Sequence, residues 1–152
     1  MSAKPVVSPP SRLYDEDFVL WTQETARLLR AGRFGAVDVE HVAEEIEDMG
    51  KRDRRALGSR LTVLIHHLLK WKYQEPARSR SWRMTMDVQR TKIEKLFRDS
   101  PSLRPTVPEV IEDVYPDAVR QVCIETDLPE ETFPKRCPFT AEQILDRDFL
   151  PE

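Results

Sequence analysis

From Val39 to Trp71 the apolar residues fall three and four apart. Val39, Val42, Ile46 and Met49 lead to Leu57, Leu61, Leu64, Leu68 and Trp71, with Asp53 holding the phase between them. A period near 3.6 kept over this length predicts one amphipathic helix from about 38 to 73. Such a helix is about 54 Å long at 1.5 Å per residue. Gly50 lies inside it and costs about 1 kcal/mol relative to alanine. The stripe nevertheless passes through Gly50 without a skip, which favours continuation with at most a kink. Most helical stability comes from covering an apolar face, so this element organises the rest of the chain.

The flanking segments read as its covers. Asp15 is placed to cap a first helix, with Glu16 and Asp17 in the first turn. Phe18, Trp21, Thr25, Leu28 and Leu29 mark its face, and Gly32 closes it. Glu75-Pro76 stops the long helix. Ser79 or Ser81 caps the next one, which carries Trp82, Met86, Gln89, Ile93, Leu96 and Phe97 and ends before Ser100-Pro101. Residues 108–126 form a further helix that Pro116 should kink or split. Thr140-Ala-Glu-Gln143 is a capping box for a short last helix, and Phe133, Phe139 and Phe149 dock a proline-rich tail. Short connections at 32–37 and 74–80 fold each shorter helix back antiparallel. The first then covers the N-terminal half of the long helix, with Trp21 near Ile46 and Met49, and the Trp82 helix covers the other half. The expected fold is an all-α antiparallel bundle built on one long central helix. Residues 1–13, with Pro5, Pro9 and Pro10, read as a flexible tail ahead of a single domain over 14–152.

Composition narrows the function classes. Of 152 residues 34% are charged, and no apolar run approaches the ~20 residues of a membrane span. No hydrophobic region follows Lys4, so the opening is not a secretory signal, and a cytoplasmic location is expected. Cys123 and Cys137 would stay reduced there; without a C-x-x-C pair they frame no zinc site, and buried packing roles are expected for both. No phosphate-cradling glycine motif and no nucleophile elbow is present, so no cofactor is expected. The net charge of −3 hides a segregation. Residues 14–50 carry ten acids and three bases, 51–98 fourteen bases and four acids, and 99–152 thirteen acids and five bases. The reading adopted is mutual neutralisation between packed helices; the alternative is a basic path for nucleic acid.

Three constellations could carry chemistry. His41, Glu44, Glu45 and Asp48 sit on adjoining turns, and such ligands suit iron, manganese or zinc. On the helical wheel, however, they lie mostly opposite the Val42–Ile46–Met49 stripe, so a solvated acidic face is expected and a metal-dependent enzyme is the alternative. Lys51, Arg52, Arg54, Arg55, Arg78, Arg80 and Arg83 are the candidate phosphate contacts. Those near Trp71 and Trp82 could also stack bases, although both tryptophans fall on apolar stripes and read as core. His67 is expected to bond a neighbouring helix while His66 points outward.

These residues resemble a bacterial family, the domain of unknown function numbered twenty-nine. The matching elements are Tyr14-Asp-Glu-Asp-Phe18 with Trp21, Leu28-Leu-Arg30 through Phe34, and Glu44-Glu-Ile-Glu-Asp-Met-Gly50. They continue with His67-Leu-Leu-Lys-Trp71, Ser81-Trp82, Gln89-Arg90 and Ser100-Pro-Ser-Leu103, then Phe133-Pro134, Cys137-Pro-Phe139 and Ile144-Leu145. Met86 departs mildly, standing where such proteins more often carry an aliphatic branched residue. The resemblance implies an all-helical fold from a bacterium and brings no activity, cofactor or catalytic residue. With no catalytic constellation evident, the expected role is a helical interaction domain that recruits a protein partner or pairs as a homodimer, without a membrane.

Overall fold

The computed structural model describes residues 9–152, and most of the expected N-terminal tail lies outside them. The fold is all-α, with six helices and no strand among the described residues. Helix α1 is Pro10–Glu16, α2 Phe18–Arg30, α3 Val39–Tyr73, α4 Arg80–Asp99, α5 Val107–Thr126 and α6 Ala141–Leu145. Short 3-10 turns join several of them. Two compact units divide the chain, one ending at Lys51 and the other spanning Arg52–Glu152.

In the N-terminal unit, residues 10–13 belong to α1 rather than to a tail, and Leu13 is buried. The helix cap falls at Asp17 instead of Asp15. Asp17 is extended, and its carboxylate accepts the Leu20 N–H at 3.0 Å, so it ends α1 and starts α2. Two helices thus stand where one was expected. Gly32 closes α2 as expected. At φ +72° it lets Arg33 N–H reach the Leu28 carbonyl at 2.9 Å and its own N–H reach Leu29 at 3.1 Å. This paired closure is the Schellman arrangement. Trp21, Thr25 and Leu28 are buried, while Phe18 and Leu29 are exposed.

The C-terminal unit holds the core. Leu57, Leu61, Leu64, Ile65, Leu68 and Leu69 of α3 are each 0% exposed. They meet Met86, Ile93 and Phe97 of α4 and Ile111, Val119 and Val122 of α5. Ser79 caps α4 by accepting Trp82 N–H at 3.2 Å. Helix α5 is not split at Pro116: both Pro116 and Glu112, whose carbonyl loses its i+4 donor, are exposed to water. The capping box at Thr140 and Gln143 forms with both of its bonds. Phe139 stands edge-on to Phe149 and Phe133 edge-on to Tyr73. Buried Arg90 fastens the tail. Its guanidinium donates to the carbonyls of Ile144 at 2.8 Å, Phe149 at 3.1 Å, and Gln143 and Arg147 at 3.4 Å.

Candidate functional site

Tyr14 on α1 organises the N-terminal unit. Its ring stacks on His41 of α3 with centroids 3.8 Å apart, and its hydroxyl donates to Glu45 Oε1 at 2.6 Å. The edges of Trp21 and Phe18 close the other sides at 5.0 and 5.8 Å. His41 Nδ1 in turn pairs with Asp38, which also accepts the His41 backbone N–H at 3.5 Å. The bond to Glu45, with burial and the nearby charges of Glu44 and Asp48, pushes the Tyr14 phenol up to about 12. The Asp38 carboxylate, more than the opposing burial, holds the His41 imidazole above its usual range.

This network turns α3 over. Asp38, His41, Glu45 and Asp48 are half-buried, as is Val42 of the stripe, whereas Val39, Ile46 and Met49 are 64%, 62% and 60% exposed. The expectation was the reverse, with the stripe covered and the acids in water. Trp21 likewise packs on Tyr14 and Phe18, and Ile46 and Met49 stay open to solvent. Among the described residues, Phe18, Val19, Leu20, Leu29 and Phe34 are also more than a third exposed. Inside the unit, Trp21 Nε1 and Thr25 Oγ1 are buried without a hydrogen-bond partner.

His41, Glu44, Glu45 and Asp48 do not converge on one point. His41 and Glu45 are engaged by Asp38 and Tyr14, and Glu44 is exposed. No group of three or more His, Cys, Asp or Glu side chains among the described residues is placed to hold a metal ion. The Asp38-x-x-His41 spacing was the signal for the ion pair; no local pattern announced Tyr14.

The seven basic candidates are not brought together as one set. Lys51, Arg52, Arg54 and Arg55 are exposed along α3. Arg78 is structural: it donates to the Trp71 carbonyl at 2.7 Å and lies over the Trp71 ring at 5.1 Å. Arg80 and Arg83 line an open cleft beside α4. Trp71 and Trp82 are half-buried rather than core, and buried Lys70 lies 4.5 Å above the Trp82 ring.

The two histidines exchange their expected roles. His66 reaches the neighbouring helix, 2.5 Å from Glu125 of α5, while His67 bonds its own helix at the Val63 carbonyl. Glu125 also accepts from Lys70 at 2.8 Å, and that bond above all holds its carboxyl below the usual range. Burial pushes both imidazoles down, outweighing the carboxylate beside His66. Cys123 and Cys137 are half-buried, and burial raises both thiols. A thiol raised in this way is a poor nucleophile.

The chain is all-helical, with a tied polar cluster and exposed apolar residues in its N-terminal unit. It belongs to the family described as domain of unknown function DUF29, whose model matches residues 13–150. No curated protein and no solved structure matches the chain significantly. No helix among the described residues is long and apolar enough to cross a membrane.

Proposed function

We propose that the chain is a non-enzymatic, cytoplasmic interaction domain whose docking face is the outward apolar side of its N-terminal unit. Its occupant is a basic amphipathic helix of a protein partner. The carrying observation is the exposure of Val39, Ile46 and Met49, three of the four stripe members in this stretch, with Val42 half-buried between them. A contiguous apolar patch rimmed by polar residues marks an interaction surface, and a helix laid in it is held through residues three and four apart. Ten acids against three bases over 14–50 favour a cationic occupant. A two-fold pairing of this face with its own copy would set acids against acids.

The probe is a synthetic leucine–lysine amphipathic helix, with a leucine–glutamate helix as control, titrated by calorimetry. The lysine peptide binds with a Kd of roughly 1 µM and the glutamate peptide at least about tenfold more weakly. The double variant I46S/M49S keeps every charge and loses about tenfold or more in affinity. Equal binding of both peptides, or an unaffected double variant, overturns the reading. A homodimer abolished by the same double variant assigns the face to a second copy instead.

A further inference from the structure

The C-terminal unit carries an arrangement that the docking face does not use. Arg80 and Arg83 stand one turn apart at the start of α4, exposed, and among the described residues neither has a carboxylate within 4.0 Å. Both open onto a cleft of about 410 Å³ whose lining also includes Arg90. Arg90 is only 2% exposed, and its hydrogen bonds go to neutral backbone carbonyls alone. A buried charge is ordinarily matched by an opposite one. Here Asp146, Asp87 and Asp148 act on Arg90 only from a distance, and burial holds its guanidinium below the usual range. Asp87 is shared with Arg147 at 3.6 Å, and Arg147 is itself tied to Glu94 at 2.7 Å. Asp148 is left as the uncommitted acid of the cleft, against three guanidiniums without an ion-pair partner.

The imbalance matches a dianion. A planar guanidinium presents forked donors to phosphate oxygens and holds them in two places at once. Met84, Met86 and Leu150 give the same cleft an apolar wall. We infer that this cleft is a binding site for a small phosphate monoester. Arg80 and Arg83 grip the phosphate oxygens over the positive field of buried Arg90, and the methionines cover the apolar part of the ester. The site lies wholly within the C-terminal unit and stands or falls apart from the docking face.

The test titrates the whole chain with inorganic phosphate and with phenyl phosphate, followed by calorimetry and by amide shifts of residues 80–90. Phenyl phosphate should bind about tenfold more tightly than inorganic phosphate, because its ring reaches the apolar wall. R80Q/R83Q changes only exposed side chains, and should weaken both ligands by about tenfold or more while leaving the melting temperature in place. Tighter binding of inorganic phosphate moves the assignment to the free anion and overturns the ester. Absence of binding at millimolar ligand, or affinity untouched in R80Q/R83Q, overturns the site. Retention of a single-stranded oligonucleotide without binding of either small ligand reassigns the arginines to a nucleic-acid path.

Discussion

Helix α3 contains two stretches with the same periodicity and opposite fates. From Leu57 to Leu69 the stripe is sealed beneath α4 and α5, and six of its residues have no exposed surface. From Val39 to Met49 three of the four stripe residues face out, and Asp38, His41, Glu45 and Asp48 are half-buried along with Val42. The difference lies in what each cover offers. Helices α4 and α5 bring Met86, Ile93, Ile111 and Val122, which gain only by removing apolar area from water, about 25 cal/mol per Å². Helix α1 brings Tyr14, whose ring stacks on the His41 imidazole and whose hydroxyl donates to the Glu45 carboxylate. An amphipathic pattern therefore shows that a helix has two faces. It does not show which one a polar aromatic neighbour will choose.

The largest expected effect divides the two stretches directly. Leu61→Ala should lower the unfolding free energy by about 2–5 kcal/mol, while Ile46→Ala, exposed as it is, stays within about 0.5 kcal/mol. Urea melts of both variants measure this. An Ile46→Ala loss as large as that of Leu61→Ala would mean that the outer stripe is covered after all.

An intermediate effect concerns how each unit holds its charges. Lys70 is 3% exposed and Glu125 is half-exposed, so the pair is partly screened. Glu125→Gln strands the ammonium over Trp82 and should cost about 1–3 kcal/mol. Lys70→Met, which removes the buried charge itself, should be neutral or stabilising. If the methionine variant is the weaker of the two, the ion pair is a net stabiliser and the sign of this argument is wrong.

The smallest effect is a pH dependence of opposite sign in the two units. The folded pKa of His41 is raised, so its contribution is complete below the unfolded value of about 6.5 and fades as pH rises through the folded one. Those of His66 and His67 are lowered, so their contribution is complete above about 6.5 and fades as pH falls toward the folded values. Imidazole titrations by NMR should find His41 above, and His66 and His67 below, the free-histidine value. One shared midpoint would remove the contrast.

Much of the architecture was legible because its signals are local. The span of α3, the serine cap of α4, the Gly32 closure and the Thr140 capping box all follow from residues within a few positions of one another. Asp17 rather than Asp15 caps because α1 runs through Glu16 and the backbone turns extended only at Asp17. Other assignments that failed depend on distant partners. His66, rather than His67, bonds across because Glu125 lies 59 residues away in sequence. Of the candidate site, the acidic members and the Asp38–His41 spacing could be read, but their tyrosine partner could not. The arginines near Trp71 looked alike in sequence, yet Arg78 is spent on a backbone carbonyl while Arg80 and Arg83 are not.

The clasp of Arg90 around residues 143–149 bears on the order of assembly. Its acceptors lie 53 to 59 residues further along, so during synthesis the side chain emerges long before anything can satisfy it. Until residues 143–149 are made, burying this arginine would leave its charge without those acceptors, so it favours water. Closure of the Arg90 clasp is therefore timed by the arrival of residues 143–149, and a chain cut before them leaves this guanidinium without its four carbonyls.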